Sequence, residues 1–570
     1  MAAPTQPWYR ELNGYHWFVL IVCTLGWLFD CFNQQFFNMA RKPAVADLSN
    51  LAPDDPNVGW YAGFATMALM IGWATGGIIF GIMGDRIGRA KTMVWTILAF
   101  SLSTGLNGLA LSIWDFYFYL FLAGLGVGGQ FAVGVTLVAE SLPDRARPHA
   151  LGLLQTFSAA GNVGAGLIAL GMTQLKAAHL IVNSWRVLFA IGIIPALLAI
   201  LVARHLKEPE VWKKAVAEKK GGGKAGSMAE LLGVPRWRRR AIVGLLLAFA
   251  GVVGLWGIGV FSNDLNQGIF REKYLAAARD QGDAQQDLEF AVGVATHPAL
   301  LEAAAAAKIR PRSLLGRDAK DHDAEAIYAA ALKLCHDQKL VDAQAVLAVL
   351  DQESAEDKRP AQTSADRARR AELLAEAAPL ARGDAAEAQA WVDQHIQRIA
   401  ARQEKITLGV ERWAAVTLIL FNIGAFFGIY AFTRVTHWIG RRATFALAYL
   451  AAMLSTAFAF LYMSTPTDVY WMVPLMGAAQ LSIFGGYSIY FPELFPTRLR
   501  STGTSFCYNV ARYVSAVGPF TLGLLSSRVY AEYGPVDALR YAGVTMCACF
   551  LVGIVALLFA PETRGKPLPE

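Results

Sequence analysis

The chain has 570 residues, of which 55% are hydrophobic and 17% are charged, with 32 Phe and 15 Trp. Soluble globular proteins carry about 25% charged residues, so this composition argues against an ordinary soluble enzyme. The net charge of +7 is unevenly divided, because residues 264–412 carry 20 basic and 25 acidic side chains and the remainder carries 31 and 19. Basic clusters between long apolar runs are typical of a polytopic membrane protein with a polar insertion, and not of a nucleic-acid-binding protein.

Twelve apolar runs follow one another along the chain, each close to the 20 or so residues that a membrane-spanning helix needs. The first is too long for a signal peptide and has no cleavage site after it, so it is predicted to be a retained span. The predicted fold is all-α: a polytopic membrane protein of twelve transmembrane helices in two six-helix halves, with a helical soluble insertion. The predicted spans are residues 16–38, 58–82, 91–112, 115–139, 149–173, 184–204, 240–262, 411–434, 442–463, 468–491, 501–526 and 539–560.

The loops between these runs define the predicted domains. Residues 1–206 form the first six-helix half, residues 207–239 form a linker, and residues 240–263 form the seventh span. Residues 264–409 are an insertion with apolar residues at helical spacing, and residues 410–570 hold the last five spans. The insertion is therefore predicted to consist of amphipathic helices.

The distribution of Lys and Arg predicts the orientation of the chain. With the N-terminus inside, the inner loops and termini hold 24 of these residues and the outer segments hold 6. An excess of basic residues marks the cytoplasmic side. Both termini are therefore expected in the cytoplasm and the insertion outside, and the Ala-rich composition favours a bacterial inner (plasma) membrane.

An internal repeat relates the two halves. The pattern E-x-x-P-x-x-x-R occurs at Glu140–Arg147 after the fourth span and again at Glu493–Arg500 after the tenth. Ile-Gly-Arg occurs at 87–89 after the second span and at 439–441 after the eighth. Two six-span halves in parallel repeat are typical of a rocking transporter whose central site lies between the halves.

These motifs resemble those of a known family. Residues 81–89 read G-I-M-G-D-R-I-G-R, which resembles the loop between spans two and three of the major facilitator superfamily. Residues 561–565 read P-E-T-R-G and resemble the signature of sugar porters. Residues 124–140 resemble the fourth span of metabolite:proton symporters, which include aromatic-acid and carboxylate carriers. The resemblance implies a twelve-helix secondary transporter and covers all spans but not the insertion.

Departures from the family patterns bear on the substrate. The seventh span, residues 254–262, lacks the paired glutamines of sugar porters, so a sugar is not the first expectation. The first span reads Asp30-Cys-Phe-Asn33 where carboxylate carriers often have D-x-x-D, and Gln130 stands where they tend to have Glu. His437 replaces the Asp of the loop motif in the second half.

Two charges fall deep inside predicted spans, Asp30 and Arg512. Intramembrane charges are costly and are by default functional candidates. Asp30 shares a helix face with Asn33 and Gln34, and is predicted to accept a proton or to coordinate a cation; the alternative is a structural hydrogen-bond partner. Arg512 is predicted to bind an anionic substrate, since its planar fork matches a carboxylate; the alternative is an ion pair with Asp30.

Five amides in the spans are further candidates for hydrogen bonds to a polar substrate, although isolated amides more often join helices. They are Gln130, Asn162, Asn422, Gln480 and Asn509.

Charged residues at the inner ends of the spans are predicted to clamp the halves in one state and to release them on rocking. The alternative is control of topology. The set comprises Asp85, Arg86, Arg89, Glu140, Arg147, Glu493 and Arg500.

The predicted function is secondary active transport of a small organic solute, with proton symport of an organic anion as the leading hypothesis. A sugar or polyol carrier or facilitator is one alternative, and a transporter-like nutrient sensor whose insertion binds a protein partner is another. No enzyme activity, metal site, cofactor or nucleic-acid partner is expected; Asp321-His322-Asp323 and Cys335 in the insertion form no recognisable catalytic set. The expected partners are the solute, protons and the lipid bilayer.

Overall fold

The computed structural model describes residues 7–51, 56–178, 184–217, 225–259, 265–266, 270, 273–274, 385–515, 518–533, 535–566 and 568–569. Over these ranges the chain is helical and contains no β-strand. Contacts divide it into one unit of Met1–Asn266 and Arg412–Glu570 and a second unit of Gln267–Glu411. Most of the predicted insertion, including Asp321 and Cys335, lies outside the described residues.

In the described residues, the first half, the linker and the seventh span together contain ten α-helices. They are α1 (Gly14–Leu48), α2 (Pro56–Ile87), α3 (Arg89–Asn107), α4 (Ile113–Ser141), α5 (Arg147–Ala177), α6 (Ser184–Ile191), α7 (Ala196–His205), α8 (Glu210–Ala217), α9 (Met228–Gly233) and α10 (Pro235–Val252), and a π-helical segment, Val253–Gly259, continues α10.

The described helices from Ala385 onward follow, the first of which begins within the predicted insertion and continues into the eighth span. They are α11 (Ala385–Ile439), α12 (Arg441–Tyr462), α13 (Pro466–Leu494), α14 (Arg500–Ser515), α15 (Gly518–Leu524), α16 (Pro535–Met546) and α17 (Cys549–Ala556), with a π-helical segment at Leu525–Val529.

The prediction of an all-α polytopic membrane protein is confirmed. Ten helices in the described part of the chain are long and apolar enough to cross a bilayer. The predicted third and eleventh spans are present as α3 and as α14 with α15, but both carry more polar residues. In α3, Thr92, Thr96 and Ser101 are buried against its neighbours, which explains why a helix of modest hydropathy packs inside the bundle.

The repeat found in the sequence recurs in the packing of the helices. In the first half, a Cβ added to Gly72 of α2 would overlap the carbonyl of Phe121 in α4. In the second half, a Cβ on Gly424 of α11 would overlap the carbonyl of Pro474 in α13. Small residues allow helix backbones to approach closely in a membrane, so the two halves share one packing solution.

One helix changes its geometry inside the bundle, since α10 passes into its π-helical segment at Val253. A Cβ on Gly518, at the start of α15, would lie 3.0 Å from the Cα of Gly257 in that segment. π-Helical segments of this kind are frequent at functional sites.

Candidate functional site: a central charge pair and an end-of-bundle gate

The predicted gating residues meet at one end of the bundle, which we call the motif end: the ends of α2, α4, α11 and α13 and the starts of α3, α5, α12 and α14. Arg89 begins α3 and is fully buried. Its guanidinium contacts Asp85 at 3.0 Å and Glu140 at 2.9 Å and donates to the carbonyl of Gly84. The charge of Arg89 is thus compensated by two buried carboxylates.

Glu140 also joins the two halves. Nη1 of Arg500, at the start of α14, donates to Oε1 of Glu140 at 2.9 Å. Nη2 of Arg89 donates across the same boundary to the carbonyl of Thr497 at 2.9 Å. One buried carboxylate therefore holds two arginines from opposite halves.

Asp85 forms a second connection between the halves. It accepts from the backbone N–H of Thr502 at 2.9 Å, from its hydroxyl at 2.6 Å and from the N–H of Ser501 at 3.3 Å. These donors lie in the first turn of α14, where free N–H groups and the helix dipole attract a carboxylate. Asp85 thus caps a helix of the opposite half.

The second half repeats this arrangement only in part. Arg441 begins α12 and pairs with Glu493 at 2.9 Å, as Arg89 pairs with Glu140. The N–H groups of Arg441 and Arg442 donate to Glu562, as those of Arg89, Ala90 and Lys91 donate to Glu208. Burial alone would raise the pKa of Glu562, but hydrogen bonds from four backbone N–H groups outweigh it and lower that pKa.

Among the residues that the structure describes, two predicted gating arginines contact only their own half or the linker. Arg147 pairs with Asp144 and donates to the carbonyl of Ala139, both in its own half. Arg86 is exposed and donates to the linker carbonyl of Ala225. Arg500 and Arg147 are equivalent in the repeat, yet only Arg500 crosses to the other half.

The pseudo-equivalent of Asp85 is His437, 352 residues later, and it makes a different contact. Its ring stacks on His149 of α5 with centroids 4.3 Å apart, and Trp8 also stacks on His149, with centroids 5.5 Å apart. His149 is in turn the counterpart of Thr502. A charged cap in one half is thus replaced by stacked rings in the other.

The linker also contacts the motif end. Trp212 of α8 donates to the carbonyl of Asp85 at 3.0 Å. Glu230 of α9 pairs with Arg498 at 2.7 Å. The sequence did not predict these contacts, because a charged linker is normally expected to be a solvent-exposed loop.

Arg512 lies on α14 away from the motif end and is fully buried. Its Nη1 donates to the carbonyl of Tyr508 at 2.6 Å. Its Cζ lies 3.9 Å from the ring centroid of Trp73 and 4.1 Å from that of Tyr508. Nε and Nη2, which form one edge of the guanidinium, have no hydrogen-bond partner among the described residues. The guanidinium is thus held by two aromatic rings and by one hydrogen bond from Nη1. Its Nε–Nη2 edge, which could donate two parallel hydrogen bonds to a carboxylate, makes none to the described residues.

Asp30 of α1 is also fully buried, and one of its two carboxylate oxygens accepts a hydrogen bond while the other accepts none from the described residues. Its Oδ2 accepts from Nε2 of Gln34 at 3.2 Å, whereas Oδ1 has no partner in the described part of the chain. Asn33 points elsewhere and donates to the carbonyl of Gly192, between α6 and α7. No direct ion pair joins Asp30 to Arg512, both of which the structure describes, so the alternative of a permanent ion pair does not hold in this state.

Two further buried N–H groups have no partner. They are Nε1 of Trp73, whose ring lies against Arg512, and Nε2 of Gln130 on α4, neither of which has a hydrogen-bond partner among the described residues. Oε1 of Gln130 accepts from Thr96 at 2.6 Å, which fixes the amide. Gln130 precedes Phe131, whose ring stacks on Tyr508 at 3.9 Å. An aromatic wall with open N–H groups suits an anion with a planar body.

The other predicted amides mainly connect helices. Asn162 of α5 donates to Oδ1 of Asn422 in α11 at 2.7 Å. Gln480 donates to Thr456 at 2.7 Å. Asn509 donates to the carbonyl of Gly128 and to Ser505. These contacts place Asn162, Asn422 and Asn509 at the boundary between the halves.

Comparison with known proteins agrees with this architecture. The family model described as Major Facilitator Superfamily matches residues 23–278. The structure of the proton:xylose symporter XylE bound to 6-bromo-6-deoxy-D-glucose superposes with a TM-score of 0.53, covering 97% of this chain and 98% of that chain. The first part of the chain therefore matches the major facilitator superfamily, the family whose motifs the sequence resembles. At 15% identity the likeness to XylE shows the fold alone.

Two curated proteins similar to this chain are transporters of bacteria. The cis,cis-muconate transport protein of Acinetobacter baylyi is 37% identical over 154 residues, which are 27% of this chain and 36% of that protein. The probable 4-methylmuconolactone transporter of Cupriavidus pinatubonensis is 35% identical over 208 residues, 36% of this chain and 46% of that protein. The chain thus spans less than half the length of these relatives. Family and relatives identify a multi-pass integral membrane protein and not an enzyme family.

Proposed function

We propose that the chain is an alternating-access carrier that moves a small organic anion together with protons. The observation that carries the proposal is the open Nε–Nη2 edge of Arg512, a fully buried guanidinium without a direct carboxylate partner. A carboxylate pairs with that edge through two parallel hydrogen bonds. The match to a relative named for muconate supports the same substrate class.

The second element of the proposal is the proton site. Asp30 is the fully buried carboxylate near Arg512, and its open Oδ1 gives a proton a place to bind. Burial disfavours an unpaired carboxylate charge, so substrate binding at Arg512 favours proton uptake by Asp30. Xylose is the substrate for which XylE is named, and that specificity is not transferred to this chain.

The third element is the gate. The contacts of Glu140 and Asp85 across the halves close the motif end, and breaking them would open the central site to that side. We propose that this end is cytoplasmic, with both termini inside and the 264–409 insertion outside in the bacterial inner membrane. Labelling of Cys335 by an impermeant thiol reagent in intact spheroplasts tests this orientation. Labelling only after the membrane is permeabilised would mean that the insertion lies inside and would overturn the proposed orientation.

Counterflow in proteoliposomes tests the anion site. Vesicles containing the full chain are loaded with unlabelled benzoate, cis,cis-muconate or xylose, and influx of the labelled compound is measured against protein-free vesicles. We expect exchange of at least one carboxylate and none of xylose. Arg512→Lys should raise the half-saturating concentration at least tenfold, because a point charge replaces a bidentate fork. Exchange of xylose alone, or an unchanged affinity in Arg512→Gln, would overturn the anion site.

A further inference from the structure

The start of α10, the first helix of the second half, carries a dense group of positive charges. Four of its first six residues are arginines, which we call the arginine cluster: Arg236, Arg238, Arg239 and Arg240. Nη1 of Arg240 donates at 2.8 Å to the carbonyl of Leu494, the last residue of α13. The arginine cluster therefore lies at the motif end, where the seventh span enters the bundle.

The arginine cluster differs from the buried arginines of the motif end in having no carboxylate partner among the described residues. Arg89 and Arg441 each pair with a glutamate at 2.9 Å. In the arginine cluster, the ring of Trp237 lies 4.8 Å from Cζ of Arg236 and 5.3 Å from Cζ of Arg240, and no ion pair is made within the described chain. Four positive charges so close together repel one another, so an anion from outside the chain would be bound favourably.

The exposed face of α10 continues from the arginines into aliphatic side chains. Arg238, Ile242 and Leu246 are spaced four residues apart and therefore share one face of the helix. Ile242 is 46% exposed and Leu246 is 38% exposed, and the side chains of Arg238 and Arg239 are exposed next to them. The face that carries Trp237 is buried. In a membrane span the exposed aliphatic face contacts acyl chains, which places the arginines at the level of the lipid headgroups.

We propose that the arginine cluster binds the headgroup of an anionic phospholipid. The phosphodiester would accept hydrogen bonds from the planar guanidinium groups, and the acyl chains would lie along Ile242 and Leu246. A free phosphate ion could make the first contact but not the second, so the aliphatic face favours the lipid. The site concerns the membrane around the protein, goes beyond the proposed function and does not depend on the transported solute.

The first helix of the other half has no such cluster. The helix α1 contains no Lys or Arg before Arg41. Its first turn is capped by the side chain of Asn13, which accepts from the N–H of His16 at 2.9 Å. Glu11, just before α1, pairs with Arg145 at 2.7 Å. The first span of a half therefore folds without a group of unpaired arginines, and the arginine cluster is a property of the second half.

Native mass spectrometry of the delipidated full chain in detergent measures the binding. Dioleoyl phosphatidylglycerol and dioleoyl phosphatidylcholine, which have the same acyl chains, are titrated separately. We expect the first phosphatidylglycerol to bind at least tenfold more tightly than the first phosphatidylcholine. The triple variant Arg236→Gln, Arg238→Gln, Arg239→Gln should bind phosphatidylglycerol at least tenfold more weakly, because each basic side chain near an anionic surface strengthens binding about fivefold. Its affinity for phosphatidylcholine should not change.

The matched control removes the same net charge from exposed lysines near the motif end. It combines Lys91→Gln, Lys207→Gln and Lys214→Gln, all at exposed positions. We expect the affinity of this variant for phosphatidylglycerol to change less than twofold. Equal losses in the two triple variants would overturn the site, because they would show only a general attraction of basic surface residues for anionic lipid.

Two further measurements decide between the remaining outcomes. An excess of inorganic phosphate should leave phosphatidylglycerol bound, and displacement by phosphate would overturn the assignment to a lipid. If the arginine variant fails to fold, the fluorescence of Trp237, taken as the difference between the wild type and Trp237→Phe, decides the question in vesicles. Phosphatidylglycerol brominated on its acyl chains should quench it at least twofold more than brominated phosphatidylcholine, and equal quenching would overturn the proposal.

Discussion

At the residue scale, the single carboxylate of Glu140 pairs with two arginines at the motif end. Its side chain is fully buried and binds Arg89 and Arg500 from opposite halves. Removing one partner of a buried ion pair leaves an uncompensated charge, and here two positive charges would lose a shared partner. If the motif end is the gate we propose, its closed form depends on Glu140 more than on any exposed ion pair of the described residues.

We expect Glu140→Gln to lower the free energy of unfolding by about 3 kcal/mol, the typical cost of breaking a buried ion pair. Thermal or denaturant unfolding of the detergent-solubilised protein measures it. The control is Asp144→Asn, which removes a carboxylate that is 77% exposed and should change stability by less than about 1 kcal/mol. Equal losses in the two variants would contradict a special role for Glu140.

At the element scale, the start of α3 depends on a glycine and on a distant acid. Gly88 has φ of 112°, a conformation that L side chains rarely adopt. Glu208, after α7, accepts from the first three N–H groups of α3. The same roles fall to Gly440, with φ of 89°, and Glu562 at the start of α12.

Gly88→Ala should lower the free energy of unfolding by about 2 kcal/mol, since the backbone conformation is strained for alanine and its Cβ would overlap the Glu208 carboxylate. The measurement is again unfolding in detergent. Gly134→Ala is a matched control inside α4, because nothing lies within 4 Å of an added Cβ there. A Gly88→Ala protein as stable as Gly134→Ala would show that Glu208 does not constrain this turn.

The sequence predicted the helices well and their partners less well. Long apolar runs indicated the spans, since a bilayer imposes their length. The pairing of Glu140 with Arg500 could not be read from the motif E-x-x-P-x-x-x-R, which places Glu140 beside Arg147 in sequence. Trp73 and Glu208 were missed because a tryptophan in an apolar run and an acid in a charged loop carry no local signal.

At the scale of the whole molecule, the boundary between the halves is held differently on its two sides. Where α2 meets α14, Asp85 caps α14 and Ser505 donates to the carbonyl of Gly77. Where α5 meets α11, His149 stacks on His437 and Asn162 donates to Asn422. In the proposed transport cycle, rocking would break the contacts of Asp85, which cross between the halves, and would leave those of Arg147, which lie within one half.

Asp85→Asn should therefore shift the protein toward opening at the motif end, whereas Arg147→Ala should not. The measurement is the rate at which a thiol reagent labels Ser505→Cys in a background without the six native cysteines. We expect at least a threefold faster rate with Asp85→Asn and an unchanged rate with Arg147→Ala. Equal acceleration by both would mean that Arg147 also holds the halves together.

The stacked rings of His149 and His437 have a consequence for how the duplicated halves have diverged. A gene duplication that preserved both acids would give two identical interfaces between the halves, and both would separate equally easily. Because a carboxylate stands at position 85 and an imidazole at position 437, charged hydrogen bonds of Asp85 hold the α2–α14 interface, and ring contact of His437 helps to hold the α5–α11 interface. The halves should then separate first at the α5–α11 interface, by a hinge rotation about the α2–α14 interface, until the contacts of Asp85 also break.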